Sequence, residues 1–501
     1  MKRKKYTSKA EVHNDALKIV NKPFGELAKK EDIDINKHKN TIGDLFEGYF
    51  GKPKDSASEP DLGVAELKAT PYKVLKNGKQ VSAKERLVLN IINYEELAKE
   101  NFETSHFLHK NKTLELAFYQ YQPDKPREEW TFSDVVLYEM TKNPVDFAII
   151  KQDWETIKSF VEEGRAQEIS ESDTQYLAAC TKGRNKKSLR TQPYSDVKAK
   201  QRAFSLKSGY MTQLLRRYVK GNEENDAIIK DPIEIKDSSL LDVIQNRLNK
   251  YIGMTIKELG QKLSVELKLN EQGNISSKSV NYSLIRKMLG VGGTKNPNYI
   301  SELQKASYLI KTVQLNAKGN TTQSMSFPAF SFCDLITQDW EDSDLNTMFK
   351  ESTFIFPVFQ IDKNGINRFK GTAIYNFSPK EINGPIKEAW NDTKSVLQNG
   401  VQLTFKKGKI QVAIKNNFVK ASDKKIIHVR PHSSTSSYIE SKNSDKLPVK
   451  GIWTNYDEIE SAGMTSKYPK DLEYMTKQCF WINGKYIQKI VHEGLEVSSS
   501  K

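Results

Sequence analysis

A chain that carries one folding unit twice must be built as two related halves, and this sequence contains such a repeat. The stretch from Ile150 to Gly164 matches the stretch from Ile386 to Gly400 without a gap, sharing Ile150/Ile386, Lys151/Lys387, Trp154/Trp390, Lys158/Lys394, Ser159/Ser395 and Gly164/Gly400. Three further landmarks recur in the same order. Leu67-Lys68-Ala69-Thr70 parallels Ile310-Lys311-Thr312-Val313, the apolar run after Lys110 parallels that after Lys350, and Phe204-Ser205-Leu206 parallels Phe480-Trp481-Ile482. The spacings agree: 42 and 39 residues separate the first Lys from the second, and 44 and 40 separate the second Lys from the Trp. A repeat of this length is read before any single element, because it changes the domain count. For 501 residues it predicts two mixed α/β domains. The expected division is residues 1–220, a polar joint at 221–239, and residues 240–501. Trp154 and Trp390, at equivalent places, are expected in the two cores.

The charge excess says what such a chain meets. Lys and Arg exceed Asp and Glu by 78 to 63, a net +15. Residues 181–220 concentrate it, with twelve Lys or Arg against the single acid Asp196. A clustered basic stretch is the electrostatic footprint of a polyanionic partner. Cys180, Cys333 and Cys479 lie too far apart for a metal knuckle and are expected to be reduced, buried thiols. No apolar run approaches the roughly 18 residues that span a bilayer, and no apolar stretch follows the basic start, so a cytoplasmic protein is expected.

The chemistry is concentrated in Pro60-Asp61-Leu62-Gly63-Val64-Ala65-Glu66-Leu67-Lys68. Strand alternation places Val64, Glu66 and Lys68 on one face and Ala65, Leu67 and Ala69 on the other. Two acids and a cation then converge. Carboxylate oxygens suit Mg²⁺, which also binds phosphate oxygens, and a neighbouring ammonium can hold a water for in-line attack on phosphorus. Glu47, on a segment where Leu45, Phe46, Tyr49 and Phe50 have helical spacing, is a candidate accessory acid. In register with the second copy, Lys68 faces Lys311, but Glu66 faces Leu309 and Asp61 faces Gln304. One half keeps the site and the other has lost its acids. The second half therefore reads as a DNA-binding partner without catalysis.

With Glu66-Leu67-Lys68-Ala69-Thr70-Pro71, Lys84 to Glu95, Gln192-Pro193-Tyr194-Ser195-Asp196, Lys200 to Met211 and His428-Val429-Arg430-Pro431-His432 in hand, the sequence resembles the GATC-cutting type II restriction endonucleases related to the mismatch-repair nicking enzyme MutH. The resemblance implies a restriction-endonuclease core, a mixed sheet flanked by helices, in both halves as a pseudo-dimer. It implies Mg²⁺-dependent cleavage of duplex DNA on the 5′ side of the G in GATC. A cognate methyltransferase would be a genetic partner only. Matched by motif, Asp61 and Glu66 would ligate the metal, Lys68 would hold the attacking water, Glu47 would be an accessory acid and Lys110 a further active-site lysine. Lys182, Arg184, Lys186, Lys187, Ser205 and Lys207 would contact DNA in the first half, and Arg430 and His432 in the second. Each chain would offer one complete site for a palindrome with two strands to cut. A free monomer that dimerises on DNA is therefore expected, with the second half binding another site as effector.

Overall fold

The computed structural model describes the chain except residues 1–3, 38–40, 53–58, 75–79, 184–187, 222–225, 268–277, 294, 322, 409–411, 500 and 501. It divides into two units, Met1–Lys250 with Ile275–Leu309, and Tyr251–Asn274 with Ile310–Lys501. Among the described residues no helix is long and apolar enough to cross a membrane.

In the first unit, helix α1 (Thr41–Tyr49) precedes strand β1 (Glu66–Val74), which is followed by β2 (Leu87–Ile91). Helix α2 (His106–Asn111) then leads into β3 (Thr113–Gln120), β4 (Phe132–Glu139) and helix α3 (Pro144–Glu162). Strands β5 (Leu177–Thr181) and β6 (Arg202–Leu206) and helix α4 (Ser208–Lys220) follow. β1 and β3 are parallel, with Glu66 beside Leu114 and Thr70 beside Phe118, and β4 runs antiparallel to β3. β6 lies between β2 and β5, antiparallel to both. The near-continuous burial of β3 from Leu114 to Tyr119 fits a central strand covered on both faces. α3 starts where the Asn143 side chain accepts from Asp146 N–H and Pro144 takes the first helical position. Its inner face buries Ile149, Ile150, Trp154, Ile157 and Val161. Asp153, on that face, accepts backbone N–H bonds from Gln175, Tyr176 and Leu177 at 2.7, 2.6 and 2.8 Å, which fixes where β5 begins.

Helices α5 (Leu240–Asn249) and α6 (Ser301–Lys305) also belong to this unit. The grouping differs from the expected boundary: 240–250 and 275–309 fall in the first unit. Leu240, Ile244 and Leu248 are fully buried, and the Leu240 N–H donates to Gln175 Oε1 at 2.7 Å. Glu302 accepts from the N–H groups of Ile228 and Ile229 at 2.7 and 3.0 Å. Lys305 donates to both carboxylate oxygens of Asp146 at 3.1 Å. Gly209 permits this docking, since a Cβ there would stand 2.0 Å from the carbonyl oxygen of Gln304.

The second unit repeats the pairing pattern with β7 (Val313–Leu315), β8 (Met325–Ala329), helix α7 (Asp344–Glu351), β9 (Thr353–Ile361), β10 (Asn367–Tyr375), helix α8 (Lys387–Asn399), β11 (Ile427–Pro431), β12 (Gln478–Ile482) and helix α9 (Gly484–Ser499). β7 is parallel to β9, β10 is antiparallel to β9, and β12 lies between β8 and β11. Register agrees with the sequence match. Val313 pairs with Val358 as Thr70 pairs with Phe118, which keeps Lys311 at the position of Lys68. Trp154 and Trp390 are both buried. Cys180 and Cys479 are buried, but Cys333 is exposed, against expectation.

His428 on β11 is 1% exposed, and neither ring nitrogen has a hydrogen-bond partner. Burial, then the positive charge of Arg430, hold its pKa down to about 4, with Asp423 opposing weakly. An unfolded histidine protonates near 6.5, so between those values only the unfolded chain takes the proton. Stability from this group is complete above pH 6.5 and falls as pH drops towards 4, by about 3 kcal/mol. Chemical denaturation at pH 7.5 and 4.5 should show this loss in the second unit, and His428→Phe should remove most of that slope. An unchanged slope would rule out His428 as its source.

Candidate active site

The site is assembled from three short pieces of the first unit. α1 buries Leu45 and Phe46 in the core with Leu67, Ala117 and Phe132, and this fixes the helix on the face where Glu47 approaches β1. After α1 the chain reverses at Gly51, whose φ of +66° suits glycine, and Lys52 N–H returns to Glu47 O at 3.1 Å. A tight turn then delivers Asp61 to the start of β1. Gly63 N–H donates to Pro60 O at 2.9 Å, Leu62 N–H donates to Ala65 O at 3.1 Å, and Gly63 has φ +76°.

Asp61 and Glu66 are tied to each other through the backbone. The N–H of Asp61 donates to Glu66 Oε2 at 3.1 Å, and the N–H of Leu67 donates to Asp61 Oδ2 at 3.1 Å. Both carboxylates are nearly buried, 9% and 2% exposed. Lys68, two residues along the same strand face, donates to Glu66 Oε1 at 2.7 Å. Lys110 comes from α2, a helix whose Ser105 cap accepts from Leu108 N–H. Its Nζ lies 3.6 Å from Glu66 Oε2 and donates to Glu59 O at 3.2 Å. Beside it, His109 Nε2 pairs with Glu59 Oε2 at 2.6 Å, so His109 is engaged in holding the segment before Asp61.

Lys52 was missed by sequence reasoning. Its Nζ is 3.6 Å from Asp61 Oδ1 and its side chain is 5% exposed. A lysine in a loop has no period to mark it, and the only sequence signal is its place just after a glycine-terminated amphipathic helix. The site thus gathers three carboxylates, Glu47, Asp61 and Glu66, and three ammonium groups, Lys52, Lys68 and Lys110. Burial, and next the negative charge of Asp61, push Glu47 up to about 7, while Lys68 pulls the other way. A carboxyl raised in this way by a neighbouring acid marks a place where added positive charge is favourable.

Among the described residues no group of three or more His, Cys, Asp or Glu side chains forms a ready metal centre. A hard divalent ion held by one or two carboxylates, with water and phosphate oxygens completing its shell, needs no such group. The paired acids Asp61 and Glu66 fit that demand.

The basic residues divide. Lys182 is exposed just beyond β5, its N–H held by Gln201 O at 2.7 Å. Arg184, Lys186 and Lys187 lie outside the described residues. Ser205 and Lys207 are corrected: both are 0% exposed, so neither side chain presents itself to DNA. Ser205 Oγ donates to Ala178 O at 3.4 Å, and Lys207 Nζ donates to Thr174 O at 2.6 Å. Ser205 serves the core because β6 is the central strand of its sheet and is buried along its length, and Lys207 follows it directly at the cap of α4, with its ammonium turned to a backbone carbonyl. In the second unit Arg430 and His432 are exposed at the end of β11, with the Arg430 guanidinium 5.3 Å from the Trp481 ring centre and the His432 ring 6.4 Å from it. β5 pairs Ala179 with Phe204 and β11 pairs Val429 with Phe480, so His432 holds the place that Lys182 holds in the first unit.

Residues 50–153, which carry the whole of this cluster except Glu47, match the family described as DNA mismatch repair enzyme MutH. The chain is 47% identical over 503 aligned residues to the type II restriction enzyme Sau3AI of Staphylococcus aureus, covering 97% of this chain and 99% of that enzyme. The chain belongs to the type II restriction enzymes. It is thus a site-specific deoxyribonuclease with a restriction-endonuclease-like fold. The mismatch repair protein MutH of Shewanella woodyi is 30% identical over 205 residues, covering 39% of this chain and 85% of that protein. MutH of Vibrio cholerae is 26% identical over 225 residues, 42% of this chain and 97% of its own length. One MutH protein thus accounts for less than half of this restriction enzyme.

Proposed function

We propose that this restriction enzyme recognises duplex GATC and hydrolyses the phosphodiester 5′ to the G with Mg²⁺. The observation that carries the reading is the convergence of Asp61, Glu66 and Lys68 at the start of β1. Asp61 and Glu66 are the residues that would hold the ion, which when bound supplies Lewis-acid stabilisation of the phosphate and a more acidic water. Lys68, fixed by its bond to Glu66 Oε1, orients the attacking water. Lys110 adds positive charge on the other side of Glu66. Glu47, with its carboxyl pushed up to about 7, keeps its proton below neutrality and gains full charge only above it. Lys182, together with Arg184, Lys186 and Lys187, is assigned to phosphates and base edges, as Arg and Lys donate to guanine O6 and N7.

In the second copy of the sequence match, Leu309 and Gln304 stand where Glu66 and Asp61 do in the first. This supports a non-catalytic role for that half, with Arg430 and His432 gripping a second GATC copy as an effector contact. One complete site per chain also supports a monomer that dimerises on DNA, acting in the cytoplasm beside a methyltransferase that marks the host's own sites. Incubation of GATC-containing plasmid with the enzyme and Mg²⁺, followed by sequencing of the ends, should yield double-strand breaks 5′ to the G. Nicks alone would favour a MutH-like nickase. Binding without breaks would leave a DNA-binding protein.

A further inference from the structure

Between β5 and β6 the first unit carries a hairpin of strands Leu189–Gln192 and Ser195–Lys200, paired Leu189 to Lys200, Arg190 to Ala199 and Gln192 to Ser195. At its tip Tyr194 adopts φ +63° and is 77% exposed. A bulky side chain in the left-handed region is strained, and exposure returns nothing to the fold for it. The base of the tip, by contrast, is firmly held. Gln192 is 5% exposed, its Oε1 accepts from Ala166 N–H at 2.8 Å, and its Nε2 donates to Gln167 Oε1 at 2.7 Å and to Val197 O. Gly164, with φ +68°, lets the tip seat closely, since a Cβ there would stand 2.6 Å from Tyr194 O. Tyr94 Oη donates to Lys200 O at 2.6 Å and secures the far end.

The result is an aromatic ring held outward on a fixed support. Around it the hairpin exposes Arg190, Lys198 and Lys200, with Asp196 as its only acid, and the apolar Leu189 and Val197 at 43% and 54% exposure. The basic flanks select a polyanion, and an aromatic tip between them suits the sugar and base faces that a nucleic acid presents between its phosphates. We infer that this hairpin enters a groove of the DNA duplex, with Tyr194 packed against sugars or bases and Arg190 and Lys198 on the flanking phosphates. The inference rests on the DNA-cutting reading above and adds a contact element to it.

The test measures full-length enzyme binding to a labelled GATC duplex by anisotropy, with Ca²⁺ replacing Mg²⁺, over a series of salt concentrations, together with thermal unfolding. Tyr194→Gly should weaken binding roughly tenfold or more, leave the slope of log affinity against log salt unchanged, and leave Tm equal or higher because glycine relieves the strain. Tyr194→Trp should retain affinity. Lys198→Ala should reduce the salt slope by about one. A Tyr194→Gly enzyme that binds within twofold of the natural chain overturns the hairpin assignment and leaves the DNA-cutting reading intact. If the natural chain binds no duplex at all, the DNA-cutting reading falls and this inference falls with it.

Discussion

Glu66→Gln is expected to give a chain that binds DNA as tightly as its parent and does not cut it. The substitution keeps the shape of a side chain that is 2% exposed, and its amide oxygen can still accept the Asp61 N–H bond now made by Oε2. What it removes is one negative charge from three carboxylates facing three ammonium groups. The cluster is left net positive, so a divalent ion loses an anionic donor and gains a repulsive surrounding, while the attraction for phosphate does not fall. Loss of such a group costs cleavage on the order of 10³-fold or more. Asp61→Ala should also stop cleavage, but it strips the acceptor from Leu67 N–H and so disturbs the turn. Plasmid cleavage and duplex anisotropy on the same preparation check both halves of the expectation. Cleavage within tenfold of the parent would remove Glu66 from the catalytic set.

Lys305→Met should be the most destabilising single change outside the apolar core. Lys305 and Asp146 are 3% and 4% exposed and meet at 3.1 Å through both carboxylate oxygens. Removing the ammonium leaves a buried carboxylate whose neighbours include the Tyr210 hydroxyl at 3.1 Å, itself bonded to Tyr138. Breaking one side of a buried pair costs about 3–5 kcal/mol, whereas replacing both partners by apolar groups is often near neutral. Asp146→Leu combined with Lys305→Met should therefore recover most of the loss. Chemical denaturation gives the energies, and hydrogen exchange should show the segment around α6 opening first, because Lys305 is its deepest polar anchor. A cost below about 1 kcal/mol would mean that the pair contributes little to holding that segment.

What could be read without coordinates was whatever repeats with the period of an element or the spacing of a duplication. The two-residue period of a strand was enough to put Glu66 and Lys68 on one face, and the match of Lys68 with Lys311 reappears in the register of two parallel strand pairs. Burial of Trp154 and Trp390 followed from the same repeat. Three things were decided only in three dimensions. Counting charge along the chain could not separate Lys182, which is exposed, from Lys207, whose ammonium is spent on a backbone carbonyl inside the fold. Lys52 enters the site because a glycine turns the chain back on its helix, an event without periodicity. The grouping differs from the expected boundary because 275–309 returns to the first unit after 251–274 has left it. Local pattern reports which face of an element is apolar. Which surface covers that face depends on long-range complementarity, here a buried ion pair between residues 146 and 305, and no window along the chain contains both.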